Sequence, residues 1–237
     1  MTISTESSIA VSAKSLTKTV TAQSGSLSIL SGLNLKIKSG ESVAIIGTSG
    51  SGKSTLLGIL AGLDRPTAGE VALAGNRIDH LDEDARAGVR ANHTGFVFQS
   101  FQLLPNLTAL ENVMLPLELA GKENAQTQAK TLLERVGLSE RLTHYPRQLS
   151  GGEQQRVAIA RAFVGQPDIL FADEPTGNLD EKTGESIIDL LFEVNRENNT
   201  TLVLVTHDLH LARRCQRVLR LTQGHLEETV EHSGVAQ

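Results

Sequence analysis

The stretch Gly47-Thr48-Ser49-Gly50-Ser51-Gly52-Lys53-Ser54 constrains this chain more than any other. A short apolar run, Ser42-Val43-Ala44-Ile45-Ile46, leads into it, and Thr55-Leu56-Leu57-Gly58-Ile59-Leu60 follows directly. The pattern predicts a buried strand, a Gly-rich loop and the start of a helix, which is the setting a phosphate-binding loop requires. Glycines at these positions let the backbone curl so that consecutive N–H groups point at phosphate oxygens. A helix opening at Gly52 or Lys53 adds the positive end of its dipole to the same spot. Lys53 supplies a point charge for the outer phosphates, and the Ser54 hydroxyl suits Mg²⁺.

The remaining composition narrows the class. A length of 237 residues allows one α/β domain or two small ones, each with a proper core. A net charge of −5 argues against a nucleic-acid binder, which usually presents a basic face. Cys215 is the single cysteine, so no intrachain disulfide is possible and a reducing cytosol is the expected compartment. Met1 to Ser8 is polar and does not read as a secretion signal. No apolar run approaches the length of a membrane span, so any membrane role has to come through another chain.

Residues 9–40 alternate apolar and polar positions about Ser24-Gly25 and predict antiparallel strands joined by a turn. A strand over Gly69–Gly75, a charged helix around Asp82–Arg90 and a short strand over Gly95–Gln99 follow. From about 100 to 150 the pattern turns helical, with Leu110, Val113, Leu117 and Leu119 in helical spacing. A second helix runs there from Ala125 to Val136 and ends at Gly137. Strands return at Ile169–Ala172 and Thr201–Val205, each preceded by a helix, Glu153–Val164 and Gly184–Asn195. That alternation predicts a mostly parallel sheet. Arg217–Glu228 reads as a final pair of short strands.

A nucleotide site needs carboxylates as well. The apolar strand Ile169-Leu170-Phe171-Ala172 ends in Asp173-Glu174. Asp173 suits Mg²⁺ coordination beside Ser54, and Glu174, one residue on, can polarise an attacking water. A second Gly-rich stretch, Leu149-Ser150-Gly151-Gly152-Glu153-Gln154-Gln155-Arg156, opens a long helix. Ser150 as N-cap with Glu153 three residues on explains a capped helix, but not the two glycines at its mouth. Bare N–H groups there would form a second phosphate site. A head-to-tail pair of chains, each closing its second site over the other's nucleotide, gives both sites a use.

The set Gly47–Ser54, Gln99, Leu149–Arg156, Ile169–Glu174, Asn178-Leu179-Asp180 and His207 resembles the ATP-binding subunits of ABC transporters, in order and spacing, over residues 9 to 228. Leu103–Val113 and Ala172–Asp180 are similar to the branch that contains the lipoprotein-releasing LolD, the macrolide exporter MacB and FtsE. The resemblance implies one α/β domain over 1–237, an ABC-type P-loop NTPase. Its parts would be a RecA-like, mostly parallel core, an N-terminal antiparallel β region and a helical subdomain inserted at about 100–150.

It also implies roles. Gly47, Thr48, Ser49, Gly50, Ser51, Gly52, Lys53, Ser54 and Thr55 would hold the phosphates of ATP. Ser54, Gln99 and Asp173 would form the Mg²⁺ set, with Gln99 also sensing the γ-phosphate. Glu174 would be the general base, and His207 would hydrogen-bond the γ-phosphate. Ser150, Gly151 and Gly152 would close on the γ-phosphate of a second copy, and Asp180 would contact that copy. Residues 100–118 would receive a short helix of an integral membrane permease, with Phe101, Leu103, Leu104 and Leu107 either lining that groove or packed as core. The implied place is the cytoplasmic face of the inner membrane, as a peripheral homodimer driving a permease of the MacB or FtsX type. Two other classes stay open: a regulatory ATPase signalling through a membrane partner, and a soluble ABC ATPase acting on nucleic acid or ribosomes. The interval from Lys53 to Leu149 is short for the latter.

One departure stands out. Such ATPases stack adenine on an aromatic ring near the position of Val20, yet no Phe, Tyr or Trp precedes Phe96. The adenine platform is then either aliphatic, with Val20 the candidate, or supplied from elsewhere.

Overall fold

The computed structural model describes residues 8–22 and 25–229. Nearly all of the polar Met1–Ser8 stretch, and Ser24 of the expected turn, lie outside the described residues. The chain divides into two compact units, one up to Leu81 and again from Val203, the other Asp82–Leu202.

In the first unit, β1 (Ile9–Ala22) pairs antiparallel with β2 (Gly25–Lys38) as the alternation predicts. Leu33, Leu35 and Ile37 of β2 are buried while Asn34, Lys36 and Lys38 between them are exposed, the period of a half-covered sheet. β4 (Ala68–Leu73) pairs with the other edge of β1, and the two-residue β5 (Asn76–Arg77) pairs with β4. β3 (Ser42–Ile46) has four fully covered residues and runs parallel to β9 (Arg217–Thr222), as near-continuous apolar strands do. β10 (His225–Glu228) returns antiparallel to β9. Helix α1 (Lys53–Leu60) buries Leu56, Leu57, Ile59 and Leu60. The short α7 (Leu209–Ala212), absent from the sequence reading, is capped by Asp208.

The second unit opens with α2 (Glu83–His93), whose N-cap Asp82 accepts from the Ala85 amide. β6 (Thr94–Phe98) and β7 (Ile169–Asp173) run parallel, with Phe98 opposite Asp173. Between them lie α3 (Ala109–Leu119), α4 (Ala125–Arg135) and α5 (Gly151–Phe163), with no strand among the described residues from 100 to 150. Helix α5 packs so closely on β6 that a Cβ at Gly95 would sit 2.4 Å from the Ala162 carbonyl oxygen. Helix α6 (Glu181–Glu197) follows, and β8 (Thr201–Val205) carries the chain back to the first unit.

Helix α5 begins where the expected Ser150 cap places it, and helix α6 begins earlier than its apolar periodicity suggests. Ser150 caps α5, so Gly151 and Gly152 form its first turn; Asp180 caps α6 by accepting from the Thr183 amide at 3.0 Å, so α6 gains a turn before Gly184. A cap sets a boundary where apolar spacing is silent.

Candidate functional site

In the first unit the Gly-rich loop leaves the end of β3 and wraps around its own lysine. Lys53 Nζ donates to the carbonyl oxygens of Gly47 at 2.9 Å and Thr48 at 3.0 Å, and the side chain is buried. Gly50 and Gly52 take φ of 77° and 96°, the left-handed region that excludes most side chains. A Cβ at Gly47 would lie 2.6 Å from the Leu221 carbonyl oxygen, and one at Gly52 would lie 2.8 Å from Ile29 Cγ2. The backbone therefore comes as close to β9 and β2 as a chain can.

Two features of this loop suit an anion. Helix α1 has no side-chain hydrogen bond from its N-cap, Gly52, and no acidic residue in its first turn, so no carboxylate offsets the positive end of its dipole there. Ser51 Oγ is buried without a hydrogen-bond partner, a polar atom whose burial costs energy until something satisfies it. Ser54 and Thr55 sit on the first turn of α1, and Ser54 is exposed. His207 is exposed just past the end of β8.

The second unit gathers the other predicted residues. Because Phe98 pairs with Asp173, Gln99 and Glu174 leave neighbouring strand ends. Glu174 has φ of 45°, a conformation that costs a non-glycine residue about 1–3 kcal/mol and that surrounding contacts have to hold. Its carbonyl accepts from the Gly177 amide at 3.0 Å. Gln155, fully buried in α5, donates from Nε2 to the Pro175 carbonyl oxygen at 2.6 Å. Asn178 is bonded twice to Gln99: Gln99 Nε2 donates to Asn178 Oδ1 at 3.3 Å, and Asn178 Nδ2 donates to the Gln99 carbonyl oxygen at 2.9 Å.

The glycines after Ser150 have a packing reason beside the electrostatic one expected of them. A Cβ at Gly152 would lie 2.6 Å from Thr183 Cγ2, and one at Gly151 would lie 3.2 Å from Leu179 Cδ2 and 3.7 Å from Phe101 Cζ. The loop thus abuts the segment after Gln99 and the segment carrying Asp180. Glu153 closes the capping box, accepting from the Ser150 amide at 2.8 Å and from Arg141 Nε at 2.7 Å. Those donors, the Ser150 amide first, hold its carboxyl at a pKa of about 2. Asp180 is likewise held low by its bonds to Thr183.

Sequence reasoning missed Gln155, Asn178 as a side-chain ligand of Gln99, and Arg161. Arg161 donates to the carbonyl oxygens of Gln102 at 2.6 Å and Phe101 at 3.0 Å. Phe101 and Gln102 are consecutive left-handed residues, with φ of 60° and 48°. No motif in the sequence signals that bend.

A cavity of about 380 Å³ in this unit has Phe96, Phe98, Gln102, Pro116, Leu117 and Arg161 in its lining. Phe101, Leu103, Leu104 and Leu107 are not in that lining. The Leu104 amide and carbonyl are instead bonded to the fully buried Asn112 side chain, so that stretch is tied down as an ordered loop.

Residues 30–177 match the family model described as ABC transporter. The chain belongs to this family. YbbA of Escherichia coli (strain K12), described as an ABC transporter ATP-binding protein, is 63% identical over 204 residues, 85% of this chain and 90% of that protein. The lipoprotein-releasing system ATP-binding protein LolD of Xanthomonas oryzae pv. oryzae (strain MAFF 311018) is 52% identical over 220 residues, 92% of this chain and 90% of that protein. Among solved structures, the dimeric post-hydrolysis state of the cassette MJ0796 bound to ADP and Pi superposes with a TM-score of 0.85 at 45% identity, covering 92% of this chain and 97% of that one. The chain therefore has the α/β fold of an ABC-type P-loop NTPase and is an ATP-hydrolysing ATP-binding subunit of an ABC transporter. Among the described residues no helix is long and apolar enough to cross a membrane.

Proposed function

We propose that this ABC ATPase works as a head-to-tail homodimer at the cytoplasmic face of the inner membrane and drives a separate permease of the MacB or FtsX type. Export or extraction of hydrophobic compounds or lipoproteins fits this reading better than import. It is supported by the likeness to LolD and by the dimeric MJ0796 structures. The observation that carries it is the clustering in the second unit: the loop after Ser150 abuts Leu179 and Phe101, next to the strand ends that present Gln99 and Glu174.

In this reading the loop amides of residues 47–55 and Lys53 bind the β- and γ-phosphates. Ser54, Asp173 and Gln99 offer hard oxygen donors of the kind Mg²⁺ prefers, and the ion would neutralise charge developing on the phosphates. Glu174 accepts the proton of the attacking water, and His207 hydrogen-bonds the γ-phosphate and steadies that water's geometry. Ser150, Gly151 and Gly152 of the second copy close the site, with Asp180 contacting that copy. Catalysis would come mostly from positioning and electrostatic stabilisation. The cavity lined by Phe96, Leu117 and Arg161 is the groove proposed for the permease's cytoplasmic helix.

The test uses Glu174→Gln, expected to bind ATP, hydrolyse it at least ~100-fold more slowly and remain dimeric. Purified from solubilised membranes in ATP, the trapped form should carry an integral membrane protein of the MacB or FtsX type. Recovery with ribosomes or nucleic acid, and no membrane protein, would sink the assignment. A permease that co-purifies but moves nothing in vesicles would favour the regulatory reading.

A further inference from the structure

We propose that Asn178 is a positioning residue that sets the orientation of the Gln99 amide, so that Gln99 offers its oxygen rather than its NH₂ to the reaction. This rests on the reading of Gln99 as a residue facing Mg²⁺ and the γ-phosphate.

A side-chain amide has a donor end and an acceptor end, and its neighbours decide which faces where. The Gln99 main-chain carbonyl can only accept, and the Asn178 side chain lies against it at 2.9 Å. That contact requires Asn178 to point Nδ2 at the carbonyl. The Asn178 Oδ1 is then the atom that meets the Gln99 side chain, at 3.3 Å. An oxygen there accepts, so Gln99 has to present Nε2 to it. One fixed carbonyl thus determines two amide orientations in turn, and Oε1 is left as the end of Gln99 available to a ligand. An oxygen can coordinate a hard cation or accept from water; an NH₂ can do neither.

Gly177 completes the arrangement. A Cβ there would lie 2.6 Å from Gln99 Nε2, 2.9 Å from Cδ and 3.1 Å from Cγ, so the glycine leaves the room in which the Gln99 side chain lies. Farther along, Arg161 holds the carbonyls of Phe101 and Gln102 in their left-handed bend. The segment after β6 is pinned at both ends, and only the pin at Asn178 determines which way the Gln99 amide faces. Asn178 also lies two residues before Asp180, so a shift at the proposed dimer contact would reach Gln99 through one side chain.

The experiment is a double-mutant cycle on the full chain, with ATPase rates measured across ATP and Mg²⁺ concentrations. Asn178 is exposed, so its replacement should leave the fold intact, which circular dichroism can check. Asn178→Ala should lower kcat about tenfold with KM for ATP within about twofold, and raise the Mg²⁺ concentration needed for half-maximal rate. Asn178→Asp would set a carboxylate oxygen against the Gln99 main-chain carbonyl, where both groups can only accept, so it should retain no more activity than Asn178→Ala. The double variant Gln99→Ala, Asn178→Ala should be no slower than Gln99→Ala alone, because Asn178 acts only through Gln99. Multiplied losses in the double variant would overturn the inference, as would full activity of Asn178→Ala beside a slow Gln99→Ala. If Gln99→Ala itself has wild-type kcat and Mg²⁺ dependence, the role of Gln99 fails, and the inference fails with it.

Discussion

Gln155 Nε2 donates to the Pro175 carbonyl oxygen at 2.6 Å, a buried bond that ties the helix opened by Ser150 to the loop carrying Glu174. Gln155 Oε1 has no partner, so the side chain is held by its nitrogen alone. Gln155→Leu removes the donor and strands a buried carbonyl, at a cost of about 1–3 kcal/mol, partly offset because the unpaired Oε1 leaves too. A Tm lower by about 2–6 °C is expected, together with a reduced kcat as the left-handed Glu174 loses support. A variant with unchanged Tm and kcat would show that the bond contributes to neither.

Ser150→Arg places a bulky cation at the mouth of α5. Binding of ATP to the isolated chain should stay near wild type, while hydrolysis is lost because the second phosphate site is blocked. Mixing this variant with Lys53→Ala should restore about one working site per heterodimer. The readout is ATPase rate against mixing ratio. A flat line at zero, with ATP binding already lost in Ser150→Arg, would place the Ser150 loop within its own chain's site.

Glu153 should make stability pH-dependent. Its carboxyl falls from 4.5 to about 2 in the fold, through the Ser150 amide and Arg141. A depressed carboxyl stabilises fully above the unfolded value and loses that contribution as pH falls through the folded one. The wild type should therefore exceed Glu153→Gln in denaturant midpoint at pH 6, and the gap should close between about pH 4.5 and 2. Urea titrations of both proteins at several pH values measure it; a gap constant with pH would mean the carboxylate gains nothing from its partners.

Val20 pairs across the sheet with Leu27, and both are exposed, at 37% and 62%. Leu27 lies two residues from Ile29, which backs Gly52 of the phosphate loop. An aliphatic patch near the loop offers burial to a base but no π-face, where stacking on a ring contributes on the order of 1–3 kcal/mol. The wild type should discriminate poorly between ATP and GTP, and Val20→Tyr should tighten binding by part of that range. Titrating both nucleotides into both proteins tests it. Strong ATP preference in the wild type, unmoved by Val20→Tyr, would put the base elsewhere.

Much of this was legible along the chain because it depends on local rules. The period of two in β2, the apolar runs of β3 and β7 and the spacing of Val113 and Leu117 each report burial of a face. Leu110 of the same expected set is half-buried, and Leu119 is 80% exposed at the end of α3. The Ser150 cap placed the start of α5 at Gly151, while the start of α6 was misjudged by three residues at Glu181 because its cap, Asp180, is polar and lies outside the apolar period. Of the residues expected either to line the docking groove or to pack as core, Leu104 is exposed and Phe101, Leu103 and Leu107 are half-buried. All four lie outside the lining of the cavity formed by Phe96, Pro116 and Arg161. Apolar character alone does not distinguish a lining residue from one that Asn112 has folded into a tied loop.

The sequence by itself determined the chemistry: which residues can hold phosphates, offer a carboxylate or cap a helix depends on residue type and near neighbours, both of which are written in the chain. Tertiary structure decided what holds those residues in place. The register of β6 on β7, not any motif, puts Gln99 beside Glu174, and Asn178 reaches Gln99 across 79 positions of sequence. The same holds for Gln155 on Pro175 and Arg161 on Gln102. A hydrogen bond depends on distance and angle between two groups, and for groups this far apart along the chain only the folded backbone sets either.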